Sequence, residues 1–334
     1  MKNYAICCDW GTSSLRTRLV NREDSRIIDK EVTDEGISSV FQKWKVQKNQ
    51  DAANGRKDFY MTFLNDHLTK IECRADINLD GLPVIISGMV SSNIGMMELP
   101  YASTPFSLKG DNTVVANIEP THGFNHPIIL LSGVRDGNEV MRGEETQLIG
   151  LTATNALVST KNDIVFLLPG THSKHVQVSD GSIKKFKTFM TGELFNILSQ
   201  NGLLKQAVQC SDDLNDDIDS DAFREGILKS KNSEILNSLF EVRTNVLLKK
   251  FDKTQNYHYL SGLLIGYELR DLLEQDLSQI VLTCEPKLFN NYKLAIEHLG
   301  LLSLATFINP LEAEAATVKG QILSANKLTN SSDL

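Results

Sequence analysis

The 334-residue sequence has no excess of positive charge, no long apolar run and few cysteines. Lysine and arginine number 34 against 42 aspartates and glutamates, a formal net charge of -8. A general nucleic-acid binder needs a basic face to replace counterions on phosphates, so the balance predicts no nucleic-acid partner. It leaves room for a single nucleotide, which backbone N–H groups and a metal ion can hold whatever the global charge. No apolar stretch approaches the ~20 residues of a membrane helix, so no membrane partner is expected. Met1 to Asp9 meets an acid before any long apolar run, so no leader peptide is read there and the expected compartment is the cytoplasm. The five cysteines (Cys7, Cys8, Cys73, Cys210 and Cys284) form no CxxC pair and no zinc spacing. Reduced thiols follow, with Cys7 and Cys8 as small core residues. Two familiar nucleotide signatures are also missing, the Walker P-loop with its lysine and following helix, and GxGxxG.

What is present is an ordinary globular composition, 41% hydrophobic and 23% charged. The length suggests about two domains and a core that needs no staples. Tyr4 to Cys8 reads as a buried strand, Asp9 to Ser14 as a turn, Leu15 to Leu19 as a half-exposed strand and Ile27 to Val32 as a third. Gln42 to Lys57 reads as a loop or solvated helix start, and Phe59 to Cys73 as a helix. Pro83 to Ser87 and Ile128 to Ser132 are short buried strands, and Glu144 to Leu151 has helical character. The opening pattern then returns: strand Ile164 to Leu168, turn Pro169 to Ser173, strand Lys174 to Val178, an Asp180-Gly181 hairpin turn, and strand Ile183 to Met190. Helical stretches follow at Gly192 to Gly202, Ala222 to Val242, Leu260 to Gln275, Asn291 to Leu299 and Ala313 to Leu323, with a late strand at Ile280 to Thr283. An acidic loop is expected from Ser211 to Asp221, and a frayed end from Ser331. The result is an α/β protein whose halves, 1–155 and 156–334, open with the same strand–turn–strand device.

Four segments could carry chemistry. In Asp9-Trp10-Gly11-Thr12-Ser13-Ser14, a glycine and three hydroxyl residues offer N–H and O–H donors with little steric cover, which suits phosphate oxygens. An acid at the strand end can sit beside Mg2+, usually through water. The plain alternative is a β-hairpin turn without function. Pro169-Gly170-Thr171-His172-Ser173-Lys174 is a second glycine–hydroxyl turn, now with a cation, against a plain surface turn. Met141-Arg142-Gly143-Glu144-Glu145 sets two carboxylates at a helix start. The dipole alone favours acids there, but an ionised carboxylate can also take the proton of an attacking alcohol. Spacing does not decide between Glu144 and Glu145. Ser91, Ser92 and Asn93 follow a buried strand and could bind sugar hydroxyls or cap a helix. His172 and His175 have no third ligand in the sequence, and Trp10 and Trp44 read as packing residues.

Taken together these segments resemble the 2-dehydro-3-deoxygalactonokinase family. The resemblance runs through Asp9 to Ser13, Ser87 to Asn93, Val140 to Gly150, Pro169 to Lys174, Met190 to Leu194, Phe240 to Arg243 and Leu260 to Gly266. Met141 to Gly150 is its most specific piece. It implies an actin-like ATPase fold of two ribonuclease-H-like domains with nucleotide between them. The first, 1–155, would hold the sugar-acid site and the base, and the second, 156–334, the second phosphate turn and the nucleotide site. The implied reaction is ATP- and Mg2+-dependent phosphorylation of the C6 hydroxyl of 2-dehydro-3-deoxy-D-galactonate in galactonate catabolism. Asp9 falls on the first phosphate-motif acid, and Gly170 and Thr171 on the second motif. Gly143-Glu144-Glu145 is similar to the Gly-Asp-Gln segment of glycerol- and xylulose-type kinases, which ranks Glu144 above Glu145 as base. Gly11, Thr12, Ser13, Gly170, Thr171, Ser173 and Lys174 are the expected phosphate contacts. Arg16, Ser91, Ser92, Asn93 and Arg142 are expected at the substrate, with Arg16, Arg142 or Lys174 on its carboxylate. A homodimer is left open.

One segment departs from the pattern. Where this fold usually sets a glycine-rich turn on adenine, the chain reads Thr283-Cys284-Glu285-Pro286, which predicts loose discrimination among nucleotides. Two rivals stand beside the main reading. One is a kinase for another sugar or sugar acid. The other is a non-enzymatic sugar sensor or actin-like assembly protein.

Overall fold

The computed structural model describes residues 3–48, 55–155, 163–210 and 220–331. They divide into two compact units, the first built from residues 1–159, 181–185 and 311–334, the second from 160–180 and 186–310.

In the first unit the strands are β1 (Tyr4–Trp10), β2 (Leu15–Asn21), β3 (Ile27–Thr33), β4 (Val84–Gly88), β5 (Ala102–Ser103), β6 (Phe106–Ser107), β7 (Val115–Ile118), β8 (Ile128–Leu131), β9 (Val134–Asp136) and β10 (Glu139–Met141). The helices are α1 (Ile37–Lys48), α2 (Arg56–Ala75) and α3 (Glu144–Thr154). The main sheet has the order β3-β2-β1-β4-β8-β7. β1 runs antiparallel to β2 and parallel to β4, and β4 parallel to β8. A parallel pair covered on both faces needs a continuous apolar run, and Ala5 to Cys8 and Val84 to Ile86 supply it. Side chains alternate across β1. Ile6, Cys8 and Trp10 face one core with Tyr60, Leu64, Leu68 and Ile71 of α2, whose spacing makes a single helical stripe.

The second unit holds β11 (Ile164–Leu168), β12 (Ser173–Ser179), β13 (Ser182–Phe189), α4 (Thr191–Gln200), α5 (Ser220–Ser230), α6 (Ile235–Leu247), α7 (Lys253–Leu269), β14 (Gln279–Leu282), α8 (Pro286–His298) and β15 (Ala305–Phe307). The first residues of β13 group with the first unit. The order β13-β12-β11-β14-β15 repeats β3-β2-β1-β4-β8, with an antiparallel β11–β12 pair and parallel β11–β14 and β14–β15 pairs. The repeat read from two opening turns is therefore a repeat of sheet topology.

The last described element is α9 (Pro310–Ser331). Almost all of α9, from residue 311 on, groups with the first unit. Its Val318, Ile322 and Ala325 pack with Ala5, Cys7, Val20, Ile85 and Leu131, the other face of the first sheet. Without it that apolar face would meet water, at a cost of about 1.5–3 kcal/mol for each large side chain. α9 lies against α3 through two glycines. A Cβ on Gly150 would sit 1.8 Å from the Ala316 oxygen, and one on Gly320 would sit 1.8 Å from the Thr146 oxygen.

α1 extends to Lys48, so of the two readings of the stretch from Gln42, a loop or a solvated helix, its first part is helix. The acidic stretch Ser211 to Asp221 lies almost wholly outside the described residues, as do the last residues of the chain. Cys7, Cys8 and Cys284 are buried free thiols, and burial pushes Cys8 up to about 12. Trp10 is a packing residue, stacked on Phe63 with its indole N–H donated to the Glu35 carbonyl.

Candidate active site

In the first unit the site begins where β1 turns into β2. The Gly11 N–H donates to the Ser14 carbonyl at 2.9 Å and closes the turn. The turn's own carbonyls point at α1: Gly11 O accepts from Ile37 N at 3.0 Å and Thr12 O from Ser38 N at 3.3 Å. Gly36 makes this approach feasible, since a Cβ there would lie 2.2 Å from Thr12 O and 2.4 Å from Ser13 N. With the Gly11 and Thr12 carbonyls and the Gly11 N–H engaged, what the turn offers an anion are the N–H and hydroxyl groups of Thr12 and Ser13, so the phosphate contact expected of Gly11 itself is taken up inside the turn.

Asp9 stands at the end of β1 opposite Arg16 on β2, in register. Arg16 Nη1 donates to Asp9 Oδ2 at 3.2 Å, with both side chains about a quarter exposed, 23% for the acid and 24% for the base. Beside them two glycines meet. Gly88, at φ +95°, lies so close to β1 that a Cβ would come within 2.6 Å of the Trp10 oxygen. Gly143, at φ +109°, caps α3.

The two acids that follow Gly143 have different surroundings. Glu145 is 1% exposed and folds back, accepting the Gly143 N–H on both oxygens at 2.9 and 3.0 Å and the Thr146 hydroxyl at 3.1 Å. Burial, with the Glu144 charge beside it, pushes its pKa up to about 8 against the partial relief of those bonds. Glu144 is only half-buried.

Arg142 is a strut inside the unit. Its Nη1 donates to Ser91 Oγ at 2.8 Å and its Nη2 to the Leu99 carbonyl at 2.9 Å, while the guanidinium lies 3.8 Å from the Tyr101 ring centre. Ser91 is fully buried and donates to Gly88 O at 3.3 Å. Ser92 is also buried, and its Oγ has no hydrogen-bond partner among the described residues. Asn93 is exposed, and its backbone carbonyl accepts from Arg56 Nη1 at 2.7 Å. Arg56 is not foreshadowed by any motif.

In the second unit the turn between β11 and β12 rests on the start of α4. Glu193 N donates to Thr171 O at 2.9 Å, and a Cβ on Gly192 would lie 2.4 Å from Gly170 O. His172 and Glu193 pair through their side chains. Gly170 and Thr171 are partly exposed, whereas Ser173 is fully buried and Lys174 nearly so. Lys174 donates to the His172 carbonyl at 2.9 Å. The turn therefore offers Thr171 outward and keeps Ser173 within the unit. Met190 to Leu194 belongs to the family resemblance, but no role for Gly192 or Glu193 is readable until the close approach is seen.

Comparison with known proteins decides what this arrangement belongs to. The family model described as 2-keto-3-deoxy-galactonokinase matches residues 9–322. The chain belongs to that family. A Rhizobium meliloti (strain 1021) protein named probable 2-dehydro-3-deoxygalactonokinase DgoK1 is 31% identical over 309 residues, covering 89% of this chain and 90% of the relative. The Escherichia coli (strain K12) 2-dehydro-3-deoxygalactonokinase is 30% identical over 300 residues, covering 88% and 90%. The crystal structure of a Sinorhizobium meliloti protein named for the same activity superposes with a TM-score of 0.76 at 29% identity, covering 95% of each chain. A Clostridium difficile activator of 2-hydroxyisocaproyl-CoA dehydratase, at TM-score 0.51 and 9% identity over 98% of this chain and 97% of its own, shares the fold alone. The fold is the α/β actin-like ATPase fold. As a member of this family the chain is a sugar-acid kinase with ATP as co-substrate.

Proposed function

We propose that this kinase transfers the γ-phosphoryl group of ATP to the C6 hydroxyl of 2-dehydro-3-deoxy-D-galactonate in galactonate catabolism. The substrate assignment follows the names of the two curated relatives, which align over some nine-tenths of their length. Glu144 is the general base. What supports it over Glu145 is the contrast between the two acids: Glu145 is committed to the Gly143 N–H, and a carboxyl that keeps its proton up to about pH 8 accepts none at neutral pH. The N–H and hydroxyl groups of Thr12, Ser13 and Thr171 take phosphate oxygens, and Gly11, its N–H spent on the Ser14 carbonyl, shapes the turn instead of contacting phosphate. Asp9 fits Mg2+, which needs few protein ligands and keeps several waters. Arg16 holds Oδ2 while Oδ1 faces Gly143. When bound, the ion neutralises phosphate charge. Little covalent chemistry falls to the protein, so positioning and charge stabilisation supply most of the rate.

Arg142 is assigned to substrate recognition through Ser91, whose hydroxyl it holds, and Arg16 to the charged end of the site beside Asp9. Ser92 and Asn93 complete the sugar-acid contacts. The experiment is a coupled ADP-release assay with Mg-ATP and 2-dehydro-3-deoxy-D-galactonate, beside 2-dehydro-3-deoxy-D-gluconate and a panel of plain sugars. Turnover favouring the galactonate derivative supports the assignment. A preference for another acceptor moves the substrate, and no turnover on folded, ATP-binding protein overturns the kinase reading.

A further inference from the structure

Behind the second turn a line of buried polar groups runs from the backbone to a carboxylate. Gly170 N–H points at Ser173 Oγ at 3.4 Å. Ser173 Oγ lies 3.1 Å from the Tyr292 hydroxyl, and that hydroxyl donates to Glu268 Oε2 at 2.7 Å. The other oxygen, Glu268 Oε1, is 3.2 Å from His175 Nε2. Ser173, His175, Glu268 and Tyr292 are each no more than 3% exposed. They come from β12, α7 and α8, so the line ties the turn to two helices of the same unit.

The carboxylate sets the direction of the whole line. A carboxylate has only acceptor oxygens, so Tyr292 must donate to it and His175 must present its Nε2–H. The Tyr292 oxygen is then free to accept from Ser173, and the Ser173 oxygen to accept from Gly170 N–H. Each bond polarises the next in a low-dielectric interior, and breaking one leaves a buried group unsatisfied. The four side chains of this line are buried, so they act on a ligand only through the shape of the turn. That turn is held from the other side by Glu193 N on Thr171 O.

We propose that Glu268, through Tyr292 and Ser173, is a positioning device that fixes the conformation of the Pro169–His172 turn and thereby sets affinity for the nucleotide's outer phosphates. The inference rests on the reading of this turn as a phosphate contact. It reassigns Ser173 from a nucleotide ligand to a residue acting from behind the turn.

The test compares ATP and AMP, which share base and ribose but differ in the outer phosphates. Tyr292→Phe removes one oxygen and keeps the buried ring. Ser173→Ala removes the next link and serves as the second probe should the first variant fold poorly. Calorimetric titration of each variant should show ATP binding weakened about tenfold with AMP binding within about twofold of wild type, and the KM for ATP should rise without a matching rise for the sugar acid. The double variant should be little worse than the worse single, as expected for members of one line. Glu268→Gln, which keeps an acceptor for Tyr292, should retain most of the affinity. Equal weakening for ATP and AMP, or unchanged ATP binding, overturns the proposal. A wild-type protein that binds ATP but phosphorylates no sugar acid overturns the functional assignment while leaving the ATP–AMP comparison to decide this one.

Discussion

Gly143 approaches Gly88 so closely that a Cβ on Gly143 would lie 3.4 Å from Gly88 Cα and 3.8 Å from Asp9 Oδ1. Space would admit a Cβ on Gly143 at ordinary contact distance, so what reserves the position for glycine is its backbone, at φ +109°, while Gly88 is needed against Trp10, whose oxygen a Cβ would approach to 2.6 Å. The contact sets the start of α3, and so Glu144, beside the end of β1, and so Asp9.

Gly143→Ala tests that relationship. At φ +109° an L-residue is strained by about 1–3 kcal/mol, and relief requires the backbone at the start of α3 to change conformation, which re-aims Glu144. Turnover should fall at least about tenfold, since each tenfold in rate is only about 1.4 kcal/mol of barrier. The melting temperature should drop by several degrees. Steady-state kinetics and a thermal scan of the same preparation check both, and wild-type turnover would show that the glycine contact does not position the site.

Glu144→Gln should lower kcat by about 10²–10⁴-fold, the range expected for loss of a general base, with sugar-acid binding largely kept. Binding measured by calorimetry separates this from misfolding. Near-normal kcat would move the base elsewhere.

Glu145→Gln should behave differently. Glu145 titrates near 8 in the folded protein against an ordinary value of 4.5. Its folded pKa is raised, so its proton contributes stability fully present below about 4.5 and lost as the pH rises through about 8. Gln carries no such titration. The unfolding free energy of Glu145→Gln relative to wild type, from denaturant titrations, should therefore climb steadily from pH 5 to about 9 and then level, the total amounting to a few kcal/mol. A pH-independent difference between the two proteins would refute the raised pKa.

Much of this was legible in the sequence where a pattern repeats over many residues. The buried runs at β1, β4 and β11 and the stripe of α2 follow from periodicity, and the glycine–hydroxyl turns from residue type. β5 and β6, at two residues each, are too short for any periodicity to register. The return of α9 to the first unit was hidden because nothing local says which sheet face an apolar stripe will cover. The packing roles of Gly36, Gly88 and Gly192 were hidden for a related reason. Each is set by a backbone brought near by the fold, and a glycine in sequence does not announce what it lies against. Arg142 shows the opposite case, a cation noted for its charge whose place inside the unit is set by Ser91, Leu99 and Tyr101.

Asp9→Asn should weaken the Mg2+ dependence and the rate together. The substitution keeps the size of the side chain and an acceptor for Arg16 but removes the charge a hard cation needs. The half-saturating Mg2+ concentration should rise several-fold at saturating ATP. An unchanged Mg2+ titration would sink the metal role and leave Asp9 as the partner of Arg16.

Nucleotide choice should be loose. The late strand β14 runs into α8 through Thr283, Cys284 and Glu285 with Pro286 at the first helical position. Thr283 N–H is spent on the Leu167 carbonyl at 3.0 Å, and Thr283 and Cys284 are buried. Glycine lets backbone come within contact of a flat ligand, as in other nucleotide folds, and here every position in the turn carries a Cβ. A base held mainly by its faces, without hydrogen bonds to its edges, is discriminated by only a few kcal/mol at most. The kcat/KM values for ATP and GTP at a fixed sugar-acid concentration should therefore differ by less than about tenfold, a gap of about 1.4 kcal/mol. A preference for ATP of a hundredfold or more would mean that adenine is read by polar groups elsewhere in the second unit, and the glycine-free turn would then be a change of packing without consequence for specificity.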